Sequence, residues 1–275
     1  MQNSIKLTPH YYNYGIDQLA YYDEGKGKQT LLLIHGFGED HCIWENQIDF
    51  LSAHYRIIAP NLPGVHCKPL TLHHSQAPSM RMYVEVLHEL MHHLDIEQYY
   101  IIGHSMGGYI GLSFSDYYVN HVQGLLLFHS TTYEDNEAKK TSRMKVAEFI
   151  QEWGVSKYLE TATPNLFGDA FKKSNPAAIQ DVIESGLGIS QEAMIQFVFA
   201  MRNRKAMTHL LHQNTIPVWM IAGDADLAVT IQDSLEQIKL LPSSNSLVLK
   251  EVGHMGMLEA TEQVNQFIHQ CIQYA

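Results

Sequence analysis

Six short apolar runs, each closed by glycine, proline or a polar turn, restrict what this chain can fold into more than any other feature. They are Leu31-Leu32-Leu33-Ile34 before His35-Gly36, Ile57-Ile58-Ala59 before Pro60, and Tyr99-Tyr100-Ile101-Ile102 before Gly103. Leu125 to Phe128, Val218 to Ala222 before Gly223, and Leu247-Val248-Leu249 ahead of Gly253 complete the set. Runs with no polar alternation suit strands covered on both faces, which is the condition of a parallel sheet. Helical spacing separates them, as with Val84, Leu87, Met91 and Leu94 ahead of the Tyr99 run, and a last amphipathic segment spans Leu258 to Ile272. Strands alternating with helices predict βαβ units and an α/β fold with a mostly parallel central sheet. The tyrosine-rich N-terminal stretch, up to Gly25-Lys26-Gly27, is expected to add an antiparallel edge hairpin.

The alternation stops between Thr131 and Gln213. This stretch carries helical patterns only, such as Val146, Phe149, Ile150 and Trp153, or Ile195, Val198 and Phe199, punctuated by Pro164, Gly168 and Pro176. The predicted organisation is one interrupted domain, 1–131 and 214–275, with a helical insertion at 132–213 over the strand ends.

Composition narrows the class of function. Of the 275 residues, 45% are hydrophobic and 17% charged, enough for a large buried core. The net charge of −11 disfavours nucleic acid and anionic lipid as partners. Cys42, Cys67 and Cys271 are few, odd in number and far apart, which fits a reducing compartment better than a disulfide framework. With neither a basic leader followed by an apolar stretch nor a membrane-length run, the expected setting is cytoplasmic.

The Tyr99 run leads directly into Gly103-His104-Ser105-Met106-Gly107-Gly108, a G-x-S-x-G string between a strand and a helical pattern. A serine on so sharp a turn projects its hydroxyl above the sheet, and glycines two positions either side remove side chains that would collide. The helix that follows turns its N-terminus, rich in free N–H groups, toward the reacting oxygen.

With that motif in place, the chain resembles the α/β-hydrolase superfamily over nearly its whole length. The resemblance implies an α/β-hydrolase fold in which 132–213 is the cap. It implies Ser105 as nucleophile, an acid in Gly223-Asp224-Ala225-Asp226 and a base in Gly253-His254-Met255. The family spacing selects Asp226 over Asp224 as the acid that orients His254. Matching His35-Gly36-Phe37-Gly38 to the family's HG-x-G pattern implies an oxyanion hole from the backbone N–H groups of Phe37 and Met106. One departure is Asn61-Leu62-Pro63-Gly64-Val65-His66-Cys67, where the family often has Asp-Leu-Pro-Gly-His-Gly. The serine counts against the dehalogenases and epoxide hydrolases of this superfamily, which use aspartate at the elbow.

Two other patterns compete. His88-Glu89-Leu90-Met91-His92 reads H-E-x-x-H, the zinc-protease string; in a chain with seventeen histidines it reads as a solvated helix face, and His73-His74 as a solvated loop. Arg143, Arg202, Arg204 and Lys205 either bind a substrate carboxylate or lie on the solvated face of a helix, and the second reading is preferred. Met194, Phe197, Phe199 and Met201 line the pocket or form ordinary core. The main expectation is hydrolysis of a small ester or related acyl compound through an acyl-serine, with no cofactor and no metal. The alternatives are carbon–carbon bond hydrolysis or a lyase step on a carboxylated substrate, and a non-enzymatic ligand sensor of the same fold.

Overall fold

The computed structural model describes residues 7–15, 17–71, 77–212 and 215–275. His73-His74 and the expected junction of the insertion at 213–214 lie outside the described residues. The tyrosine-rich stretch forms β1 (His10–Tyr14) and β2 (Asp17–Glu24), an antiparallel pair across a turn at Gly15. Each of the six apolar runs is a strand: β3 (Thr30–Ile34), β4 (Arg56–Pro60), β5 (Tyr99–His104), β6 (Val122–Phe128), β7 (Val218–Gly223) and β8 (Ser246–Leu249). They join one eight-stranded sheet in the order β1-β2-β4-β3-β5-β6-β7-β8, parallel from β4 through β8. Every residue of β3, β5 and β7 is buried, because helices cover both faces. This is the α/β hydrolase fold.

Connections between parallel strands are helical. They include α1 (Glu45–Leu51), α2 (Met80–His93) and α3 (Met106–Tyr117). α2 buries Tyr83, Val84, Leu87 and Met91 and leaves Arg81 and Glu85 outside as an i,i+4 ion pair at 2.8 Å. Between β6 and β7 the chain makes a helical excursion, α4 (Glu137–Ala162), α5 (Asp169–Ser174), α6 (Pro176–Gly186) and α7 (Gln191–Asn203). α4 begins where the Asn136 side chain accepts the Lys139 N–H and breaks at Gly154, whose φ of 82° no helix contains. Ile150, Leu159, Met194 and Phe197 of this excursion belong to the same continuous hydrophobic cluster as the strands.

After α8 (Ile231–Ile238), the expected single helix from Leu258 to Ile272 is two: α9 (Gly256–Glu259) and α10 (Thr261–Gln273). Ala260, at φ −139°, leaves the helical conformation between them. The break lets the Glu259 carboxylate turn back and accept the N–H groups of Gly168, Gly253 and Met255. Amphipathic spacing continues across the break, which is why periodicity alone did not reveal it.

The elbow glycines are held by backbone. A Cβ on Gly107 would run into the carbonyl oxygens of Ile34 and His35 at the end of β3, and one on Gly103 would meet Gly107 itself. Gly107→Ala is therefore expected to lower stability by about 2 kcal/mol or more, read as a drop in the urea midpoint. An unchanged midpoint would show that α3 and β3 are not in this close contact.

Candidate active site

Ser105 sits where β5 ends and α3 begins, with φ 50° and ψ −113°. That conformation costs a β-carbon residue of order 1–3 kcal/mol and persists only where neighbours hold it. Here they do: the Ser105 N–H donates to Phe128 O at 2.9 Å, and Ser130 Oγ donates to Ser105 O at 2.8 Å.

Asp226 follows β7 and is 5% exposed. Its Oδ1 accepts the N–H groups of Ala228 (2.8 Å) and Val229 (3.0 Å). Its Oδ2 lies 2.7 Å from His254 Nδ1 and 3.1 Å from His129 Nδ1. Asp224 is exposed and accepts the Glu251 N–H instead, so it is Asp226 that the fold brings to His254. The His254 loop is pinned from outside the sheet, its own N–H donating to Leu166 O at 2.6 Å and Glu259 holding both flanking residues.

Burial pushes the Asp226 carboxyl upward, but electrostatic coupling to His254 and the hydrogen bonds from both imidazoles outweigh it and hold the group well below the usual carboxylate range. His129 goes the other way: burial, only partly offset by Asp226, lowers it to about 4, so at neutral pH it is an uncharged ring donating Nδ1–H. With Nδ1 of His254 likewise donating, its Nε2 is left as a lone pair.

Ser105, His254 and the Phe37 ring face a cavity of about 260 Å³, walled on its outer side by α4. Among the described residues the Ser105 hydroxyl makes no hydrogen bond, which leaves it open to the cavity. Phe37 packs edge-on to Tyr158 and Phe197. The loop bearing Phe37 is fixed by Glu39, whose Oε2 accepts the Gly36 N–H at 2.8 Å, and Met106 opens α3.

Four groups not singled out by sequence reasoning complete the site: Glu39, His104, His129 and Glu259. The same Glu39 oxygen lies 3.0 Å from His104 Nδ1, and His104 Nε2 lies 2.9 Å from His254 O. Both partners are acceptors, so both ring nitrogens of His104 carry hydrogen and the ring is an imidazolium. Burial alone would lower the His104 pKa, yet the Glu39 charge and hydrogen bond raise it; the same contact, with the Gly36 N–H, pulls Glu39 down against its own burial. This buried ion pair ties the His35–Gly38 loop to the backbone of His254. Two histidines and two glutamates among seventeen histidines and 29 acids carry no local sequence signal, because only tertiary folding buries them.

The competing motifs resolve structurally. His88 is half-buried and stacked on Tyr118 with ring centroids 3.8 Å apart, while Glu89 and His92 are exposed. Among the described residues, His88, Glu89 and His92 are not in any set whose ligand atoms converge within 4.8 Å. Arg204 is structural: it lies 4.0 Å over the Tyr109 ring and donates to Tyr133 O and Met201 O, and its Nη2 pairs with Asp135 Oδ1 at 2.8 Å. Lys205 is exposed and Arg202 partly so. Arg143 does line the cavity, and so does Lys139, one helical turn earlier, which sequence reasoning passed over. Met201 lines it as well, whereas Met194 and Phe197 are fully buried core.

Residues 29–178 match the family model of the alpha/beta hydrolase fold, and the chain belongs to that family. It is 28% identical over 254 residues to the dihydrolipoyllysine-residue acetyltransferase component of an acetoin cleaving system from Pseudomonas putida, covering 88% of this chain but only 63% of that longer protein. It is 25% identical over 261 residues to a 2-hydroxy-6-oxononadienedioate/2-hydroxy-6-oxononatrienedioate hydrolase from Paraburkholderia phymatum, covering 91% of this chain and 89% of that one. Among solved structures, a thermophilic esterase from Thermogutta terrifontis, with malate bound, superposes with a TM-score of 0.87 at 25% identity, covering 97% of this chain and 98% of the other. No helix among the described residues is long and apolar enough to cross a membrane.

Proposed function

We propose that this chain is a serine hydrolase that cleaves a small ester or related acyl compound through an acyl-enzyme on Ser105, with 132–213 as the cap over its pocket. The observation that carries the reading is the 2.7 Å contact between His254 Nδ1 and a buried Asp226, with that imidazole and the Ser105 hydroxyl opening on one cavity. In the first step Ser105 Oγ attacks the carbonyl carbon while His254 Nε2 takes its proton. The tetrahedral oxyanion is held by the N–H groups of Phe37 and Met106, each worth roughly 3–4 kcal/mol of barrier. His254 then gives the proton to the departing alkoxide. Water attacks the acyl-serine by the same route in reverse, leaving the carboxylic acid and the free hydroxyl. The likeness to an esterase over nearly the whole chain supports the ester as substrate class.

A fluorophosphonate probe tests this directly. The expected result is one adduct per chain, on the peptide containing Ser105, absent in Ser105→Ala and formed much more slowly in His254→Gln. An unlabelled wild-type chain, or an adduct at another serine, would overturn the proposal.

A further inference from the structure

The cavity above Ser105 is sorted by charge in a way that the hydrolytic step does not require. Its floor holds Ser105 and His254; its outer wall, the first half of α4, presents Lys139 and Arg143. Arg143 uses only Nε internally, donating to Asp135 Oδ2 at 3.1 Å. Among the described residues its two Nη groups donate no hydrogen bond. Asp135 is fully shielded and also paired with Arg204, so two guanidiniums share one carboxylate and a full positive charge is left over. Lys139 Nζ donates one bond, to Ala228 O at 3.2 Å, and keeps two N–H groups. Tyr158 adds a hydroxyl on the same cavity, close enough to Arg143 that the guanidinium partly offsets the effect of burial on it.

The negative groups nearby are already committed. Glu39 is neutralised by the His104 imidazolium, and the Asp226 carboxylate lies behind His254 with four donors on it. A cationic wall of this kind, inside a chain of net charge −11, is complementary to an anion entering the cavity. Planar guanidinium N–H pairs, an ammonium and a phenol together match a carboxylate.

We infer that the pocket takes acyl compounds carrying a carboxylate remote from the scissile bond, held by Arg143, Lys139 and Tyr158. This rests on the serine hydrolase reading above. Binding there would draw the substrate toward the cap end and leave its ester at Ser105, so the carboxylate acts on affinity more than on the chemical step.

The test uses two matched pairs of esters: mono-4-nitrophenyl adipate against 4-nitrophenyl hexanoate, and 4-(butyryloxy)benzoate against phenyl butyrate. The first pair places the charge on the acyl side, the second on the leaving group. Wild-type enzyme is expected to favour the charged member of at least one pair by about tenfold or more in kcat/KM, mostly through KM, with the advantage shrinking as salt is raised. Arg143→Gln and Lys139→Met should each cut the charged-to-neutral ratio by about tenfold, and Arg143→Lys should restore part of it. Lys139 is half-exposed on a helix, so its variant reports even where Arg143→Gln fails to fold. Neutral esters preferred in both pairs, or a ratio unmoved by Lys139→Met, would overturn the inference while leaving the serine mechanism standing; a wild-type chain that turns over none of the four esters and takes no fluorophosphonate would overturn that mechanism instead.

Discussion

Asp226→Asn is expected to lower kcat on a 4-nitrophenyl ester about ten-thousand-fold, with KM little changed and the chain still folded. The backbone N–H groups of Ala228 and Val229 require an acceptor, so an asparagine must turn its carbonyl oxygen toward them and its amide NH2 toward the place of Oδ2. There the NH2 meets the Nδ1 atoms of His254 and His129. A donor facing a donor is the expensive arrangement, so His254 is expected to shift its hydrogen to Nε2 and lose the lone pair that the proposed mechanism uses to take the Ser105 proton. Steady-state kinetics beside a near-ultraviolet circular dichroism spectrum checks this. A loss under tenfold in a folded variant would show that Asp226 does not set the tautomer.

Glu39→Gln should cost about 3–5 kcal/mol of stability, because it leaves the His104 imidazolium buried without its counter-charge. The pH dependence follows from both partners. Glu39 has a depressed folded pKa, so its contribution is present above its ordinary value of 4.5 and fades as pH falls. His104 has a raised folded pKa, so its contribution is complete below its ordinary value of 6.5 and is lost only as pH climbs through the raised one. The gap between wild type and variant is therefore widest between these limits and narrows in acid. Urea titrations from pH 4 to pH 9 measure it; a constant gap would mean that the pair is not ionised. Activity should fall too, since the pair joins the Phe37 loop to the His254 backbone.

How much of this was legible in the sequence follows from range. Strands buried on both faces are written locally, as unbroken runs such as Leu31 to Ile34, and all six appear where they were expected. The serine elbow is equally local, because its geometry demands glycine within two residues. The break at Ala260 was hidden because amphipathic spacing persists through it, and one of the contacts it permits, from Glu259 to the Gly168 N–H, comes from a loop 91 residues away in the chain. His104 sits inside the motif that was read, yet its charge depends on Glu39, 65 residues away. Lys139 was passed over because i,i+4 spacing to Arg143 says that the two share a face but not which face meets the cavity.

The left-handed backbone at Gly154 has a geometric outcome for the pocket. A straight helix of 26 residues would run roughly 39 Å, and its two ends could not border one small cavity. Bent there, α4 contributes Lys139, Arg143 and Val146 from one arm and Tyr158, Leu159 and Ala162 from the other. Two arms of one stretch of chain thus border the same chamber, brought there by a break at a residue that does not itself line it.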